Sequence, residues 1–272
     1  ESRQILEQYD GLALIKGKWT VVDKNALEHH LALFDKASKL GKGLEVPFHE
    51  AMRMLMSGEP PPILDKIAEA PGILPGKWLL EVLNKLSTPA SLEPVKPPAT
   101  LKATLRPYQE EGLRWLNFLH KLGFGACLAD DMGLGKTVQV IALLLMLKEK
   151  KTEGFAASLL VVPASLIGNW LSELERFAPS LTAAVAHPGF TNVEDLKRLP
   201  GKADQCDLII TTYTGARTNG WMKEREWFYL ILDEAQAIKN PGSAQARAIK
   251  EIPATRRLMM TGTPVENRLG DL

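Results

Sequence analysis

Phe124 to Leu128 is a short apolar run that passes through ADDMGLGKT directly into the helical run VQVIALLLML. A strand that hands over to a helix through a glycine turn ending in Gly-Lys-Thr restricts the chain to an α/β fold, with that turn at a strand's C-terminal end. Gly133 and Gly135 let the backbone turn tightly, so that successive N–H groups point at a polyphosphate. The start of the following helix adds its positive dipole end. Lys136 is placed to reach the β- and γ-phosphates, and the Thr137 hydroxyl to hold a magnesium ion. Asp130 stands where the strict form of this loop has glycine. A carboxylate near phosphates is unfavourable unless it points away or caps a backbone group. Taken alone, the segment therefore reads either as a nucleotide loop or as a polar strand-to-helix turn.

A magnesium-nucleotide site needs a second, acidic contribution from a neighbouring strand. Phe228 to Leu232 (FYLIL) is an unbroken apolar run, the pattern of a strand buried on both faces, and it ends in Asp233-Glu234-Ala235-Gln236. Asp233 is placed to hold the metal, and Glu234 to orient and deprotonate an attacking water. The remaining pattern predicts strands at 124–128, 158–162, 182–186, 207–212, 228–232 and 257–261. Helices are predicted at Tyr108 to Leu122, 137–150, 165–177, 192–199 and 243–251. Strands alternating with helices predict a doubly wound parallel sheet with its ligand sites at the strand C-terminal ends. Thr261-Gly262-Thr263-Pro264 closes the last strand with hydroxyls placed to sense the γ-phosphate.

Six segments in order resemble the Swi/Snf-type ATPases, helicase-like motors of helicase superfamily two with DEAD/DEAH-like motifs. LRPYQEEGLRWL (105–116) resembles the adenine-recognition segment, and DDMGLGKT (130–137) the phosphate loop, including its aspartate. LLVVPASLIGNW (159–170) and DLIITTY (207–213) resemble the two DNA-contacting segments. LILDEAQAIKN (230–240) resembles the metal and base motif, and LMMTGTPVENRLGDL (258–272) the segment that couples hydrolysis to motion. The resemblance covers about 105 to 272. It implies a first RecA-like ATPase lobe over 101–272, a DNA-stimulated ATPase and translocation along duplex DNA without strand separation. ATP and Mg2+ are the implied cofactors. Nucleotide binding is expected from Arg106, Gln109, Asp131, Met132, Gly133, Leu134, Gly135, Lys136, Thr137 and Val138. Thr137 and Asp233 are expected at the metal, with Lys136, Asp233 and Glu234 as the catalytic set. Coupling falls to Gln236, Thr261, Gly262 and Thr263, and nucleic-acid contact to Pro163, Ala164, Ser165, Thr212 and Tyr213. A second RecA-like lobe carrying arginine fingers is expected outside this sequence, which leaves the fragment weak in hydrolysis. A DNA-bound protein is a further expected partner.

The residues themselves leave some roles open. Ser165 and Thr212 suit phosphate contact or helix capping. Gln109 suits adenine recognition or capping, whereas Trp170 reads as a packing residue of its helix. A strand-separating helicase or restriction-type motor is the nearest rival reading. A nucleotide-dependent switch with little turnover is the rival from another class, and intact Lys136, Asp233 and Glu234 argue against it.

The net charge of +1 over 272 residues means that DNA affinity must come from a local surface. Of the two cysteines, Cys127 reads as core and Cys206 has no CxxC partner, so no disulfide or zinc framework is expected. The longest apolar run, Val140 to Leu147, is too short to span a bilayer. No signal peptide is evident, and a cytoplasmic, bacterial nucleoid-associated location is expected. Residues 87–100, with four prolines, read as an extended linker. Before it, 1–86 reads as a smaller, mostly helical α+β segment. It holds a hairpin from Leu12 to Val22 with Gly17 at its turn, and helices from Asn25 to Leu40 and from Pro47 to Ser57. Met52, Met54 and Met56 read as filler of a small core, Trp19 as buried in the hairpin, and His29-His30 lacks a second ligand pair. This region resembles the accessory domain that precedes the motor in bacterial Swi/Snf-type proteins, and it is expected to restrain lobe closure or DNA access.

Overall fold

A computed structural model describes residues 11–15, 18–22, 81, 82, 85, 92–131, 133–150 and 156–263. The chain divides into two compact units, Glu1–Asn84 and Lys85–Leu272. In the first unit, β1 (Gly11–Ile15) and β2 (Lys18–Val22) pair antiparallel with Ile15 opposite Lys18, as the expected hairpin requires. The helices expected over Asn25–Leu40 and Pro47–Ser57, the methionine cluster, His29-His30 and the side chain of Trp19 lie outside the described residues.

The second unit is a six-stranded sheet in the order β3-β8-β7-β4-β6-β5, parallel throughout. Its strands are β3 (Ala126–Leu128), β4 (Ser158–Val162), β5 (Ala183–Val185), β6 (Leu208–Thr212), β7 (Trp227–Leu232) and β8 (Ala254–Met260). Every residue of β4, β6 and β7 is buried, including the polar Ser158 of β4 and Thr211 and Thr212 of β6. Strand periodicity then splits one run between two cores. Leu160 and Val162 pack on one face, and Leu159 and Val161 on the other. Helices α1 (Pro107–Leu122), α2 (Lys136–Glu149) and α3 (Ile167–Phe177) cover the first face. The second is covered by α4 (Val193–Lys202), α5 (Tyr213–Thr218) and α6 (Ala244–Lys250). Val138 to Leu147 of α2 are all buried, because this helix is apolar all round and lies between α1 and α3 against the sheet. No helix among the described residues is long and apolar enough to cross a membrane.

Three features differ from the sequence-based expectation. The last strand starts at Ala254 rather than 257; Arg256 and Arg257 mask its apolar pattern, and their guanidinium groups donate to the carbonyls of His120, Ile249, Lys250 and Ile252. Helix α5 is absent from the expected set, because its six residues follow the β6 run directly. Cys127 is exposed rather than core, since β3 is the edge strand. Its register partner Met259 is exposed too, while Leu128 and Met260 alternate inward.

Residues 92–98 carry no helix or strand, and the segment is anchored to the sheet unit. Glu149 accepts hydrogen bonds from the backbone N–H groups of Ala99 and Thr100 and from the Thr100 hydroxyl. Lys102 N–H donates to Phe177 O, and Leu101 joins the first core.

Candidate functional site

Because the six strands β3 to β8 run parallel, their C-terminal ends and the loops that follow them share one edge of the sheet. After Leu128 the backbone turns through Gly133 (φ 81°) and Gly135 (φ 76°), left-handed conformations that disfavour any side chain. Lys136 then opens α2, and its Nζ donates to the carbonyls of Asp130 (2.7 Å) and Asp131 (3.0 Å). The Leu134 carbonyl accepts from Tyr108 Oη and from Gln109 Nε2, both at 3.0 Å. Gln109 Oε1 in turn accepts the Arg106 N–H at 2.9 Å. Gln109 thus caps α1 and braces the loop, while Arg106 and Asp131 are exposed. The Val138 side chain is buried in the core, which leaves its backbone for a ligand. Met132 lies outside the described residues.

The unusual aspartate is accounted for. Asp130 Oδ2 accepts from Gln139 Nε2 at 3.0 Å, which turns its charge toward α2. Gln139 is fully buried, and its Oε1 has no hydrogen-bond partner. A Cβ on Gly112 of α1 would lie 1.8 Å from that oxygen, so any side chain there would force the Gln139 amide to shift.

Asp233 follows β7, is buried, and has both carboxylate oxygens engaged. Oδ1 accepts the Glu234 N–H at 2.9 Å, and Oδ2 accepts the Trp170 indole N–H at 2.8 Å. The Tyr213 hydroxyl donates to the Asp233 main-chain carbonyl at 2.7 Å. Burial pushes the Asp233 carboxyl above its usual range, against the Trp170 and Glu234 hydrogen bonds that lower it. Glu234 adopts φ 50°, rare for a residue with a side chain and a strain of about 1–2 kcal/mol. Glu234 Oε2 accepts from Gln236 Nε2 at 2.5 Å, and Gln236 Oε1 accepts from the Thr261 hydroxyl at 2.9 Å. Thr261 N–H donates to Leu128 O, and Thr263 N–H to Thr261 Oγ1. The expected coupling residues thus form a continuous line from the candidate base to the strand that feeds the phosphate loop, with Gly262 as the bend between the two threonines.

Gly135, Lys136, Thr137, Asp233 and Glu234 open on one cleft of about 350 Å3, which also receives Trp170 and Glu173 of α3. The donor set fits magnesium-nucleotide. Among the described residues no three acidic, His or Cys side chains form a metal-holding group. A magnesium ion here would be held by Thr137 and Asp233 together with phosphate oxygens and water, its usual coordination in nucleotide sites.

A second cleft, about 620 Å3, lies at the C-terminal ends of β4, β5 and β6. Pro163, Ala164, Thr212 and Tyr213 line it, together with His187, Asn219 and Gln245. Ser165 is exposed beside it and does not cap α3, whose N-cap is Leu166. Thr212 does cap: its Oγ1 accepts the Gly215 N–H at 3.0 Å. The Tyr213 hydroxyl is committed to Asp233, so this residue offers the cleft its ring rather than a phosphate donor. His187, Asn219 and Gln245 escape a motif search, although His187 had a positional signal, two residues past β5.

The SNF2-related domain family matches residues 108–272. The chain belongs to this SNF2-related family. The similarity extends beyond the family domain: YwqA of Bacillus subtilis, an ATP-dependent helicase/translocase by name, is 36% identical over 279 residues. That match covers 100% of this chain and 30% of YwqA. The TATA-binding protein-associated factor MOT1 of Saccharomyces cerevisiae is 38% identical over 203 residues, covering 71% of this chain and 11% of MOT1. The chain therefore spans less than a third of either relative. Among solved structures, the Sulfolobus solfataricus SWI2/SNF2 ATPase core in complex with dsDNA is similar with a TM-score of 0.60 and 44% identity. It covers 66% of this chain and 36% of that one. The SNF2-family sheet unit is thus a RecA-like ATPase-core fold, as the six motifs imply.

Proposed function

We propose that this SNF2-related chain is the ATP-binding lobe of a DNA-dependent ATPase that moves along duplex DNA. The observation that carries the reading is the convergence of Lys136 and Thr137 with Asp233 and Glu234 on one cleft. Lys136 exchanges two neutral carbonyl partners for phosphate oxygens, and the N–H groups at the start of α2 add to the cradle. Magnesium, held by Thr137 and Asp233, would neutralise charge on the β- and γ-phosphates. Glu234 orients the attacking water and accepts its proton as the water oxygen bonds to the γ-phosphorus and the bond to the β-phosphate oxygen breaks. Loss of the γ-phosphate is sensed through the line from Glu234 to Gln236 and Thr261.

The second cleft is the proposed DNA track. Its hydroxyls, amides and strand-end backbone suit phosphate contacts, which position a duplex without reading its sequence. The match to a SWI2/SNF2 core solved with dsDNA supports this assignment. Catalysis is completed by arginines of a second lobe, whose loss costs ~10³–10⁵ in the rate of phosphoryl transfer. Movement along DNA then acts on DNA-bound proteins.

The test is ATPase stimulation of the full-length protein by duplex DNA, single-stranded DNA and RNA at matched phosphate concentration. Duplex DNA is expected to stimulate most. Stimulation by RNA alone, or by none of the three, would overturn the assignment.

A further inference from the structure

Helix α3 carries two side chains that reach the metal-binding residues of the nucleotide cleft. Trp170 and Glu173 stand three residues apart, which places them on one helix face. The Trp170 indole is 2% exposed, and its N–H donates to Asp233 Oδ2 at 2.8 Å. Glu173, half-buried, lines the same cleft as Thr137. Burial is the main influence raising the Glu173 carboxyl, and the charge of Asp233 adds to it.

A threonine hydroxyl binds a cation through an oxygen lone pair, so its proton must point elsewhere. Glu173 lines the cleft with Thr137, as an acceptor able to turn that proton away. A buried carboxylate ligand must likewise present one rotamer, and the indole N–H together with the Glu234 N–H fixes that of Asp233. Groups that hold a metal's ligands in this way typically change metal affinity 10–100-fold when they are removed.

We infer that Trp170 and Glu173 are positioning residues of the magnesium site, Trp170 orienting Asp233 and Glu173 orienting the Thr137 hydroxyl. The inference rests on the reading of this cleft as a magnesium-ATP site.

The test uses the full-length protein and a fluorescent ATP analogue, with affinity measured in chelator and across a magnesium titration. The readout is the ratio of affinities with and without magnesium. In Glu173→Ala and Trp170→Phe that ratio is expected to fall about tenfold. Glu173→Gln, which keeps an acceptor for the hydroxyl, is expected to restore it. An unchanged ratio in both Glu173→Ala and Trp170→Phe overturns the inference, as does a Glu173→Gln as defective as Glu173→Ala. If Trp170→Phe does not fold, the two Glu173 variants decide the question by the same criteria. A parent protein whose nucleotide affinity ignores magnesium overturns the underlying reading as well. A parent that responds, beside variants that respond equally, overturns this inference alone.

Discussion

Gly112→Ala tests how the phosphate loop tolerates its aspartate. The added methyl would sit 1.8 Å from Gln139 Oε1, inside any van der Waals contact, and Gln139 has no exposed surface to retreat into. Overpacking of this kind costs about 1–3 kcal/mol. Alanine in place of glycine within α1 returns about 1 kcal/mol of helix propensity. These two contributions leave a loss of stability of about 0–2 kcal/mol, before any change in the hydrogen bonding of Gln139. Function is expected to suffer as well. Relief of the clash moves Gln139 off Asp130, breaking a hydrogen bond to a charged group worth about 1.5–3 kcal/mol. Asp130 is then free to face the phosphates, and nucleotide affinity is expected to fall at least about tenfold, or 1.4 kcal/mol. Thermal unfolding and fluorescent-nucleotide titration read the two effects separately. The double variant Gly112→Ala with Gln139→Ala removes the clash and leaves Asp130 unheld. Stability should recover relative to additivity while affinity stays low. Parental affinity in Gly112→Ala, or affinity recovered in the double variant, would refute the role given to the Gln139–Asp130 bond.

Two further outcomes follow from the packing. Tyr213→Phe removes the hydroxyl that donates to Asp233 O and is expected to lower stability by about 1 kcal/mol. Lower duplex-DNA affinity at unchanged stability would instead mean that this hydroxyl contacts DNA. His120 is buried beside Tyr229, its Nδ1 sharing a hydrogen bond with the Tyr229 hydroxyl at 2.9 Å, and burial lowers its pKa from 6.5 to about 4. Its folded pKa lies below the unfolded one, so the unfolded chain takes up the proton first. Stability should then drop as pH falls from about 6.5 toward 4, by at most about 1.4 kcal/mol per pH unit from this group. His120→Gln should flatten that part of a stability-against-pH curve, and an unchanged slope would show that other groups set it.

The sheet and the main site residues are legible in the sequence for a physical reason. A central parallel strand is buried on both faces and shows as an unbroken apolar run, and in this architecture ligands bind where such runs end. Asp233 and Glu234 stand at the end of such a run, whereas Lys136 and Thr137 follow the edge strand β3 and are marked by the glycine turn that ends in Gly-Lys-Thr. Side-chain partners across the fold leave no such trace. Trp170 meets Asp233 across 63 positions, so Trp170 reads as packing, and it does pack, while its indole N–H serves the site. Gln139 lies mid-helix with no local sign that it anchors Asp130. Cys127 belongs to an apolar run, but exposure depends on which strand forms the sheet edge, and strand order is a property of the whole chain. The short α5 is hidden because Thr212 ends one apolar run and caps the next element with the same hydroxyl.

The central claim is that one cleft binds ATP and hydrolyses it with Glu234 as base. Steady-state ATP hydrolysis by full-length Glu234→Gln, with nucleotide binding measured on the same preparation, tests it most directly. Turnover in the presence of duplex DNA is expected to fall ~10²–10⁴-fold, the contribution of a general base, with nucleotide binding retained. Turnover within a few-fold of the parent would contradict the assignment of Glu234 and, with it, the proposed mechanism.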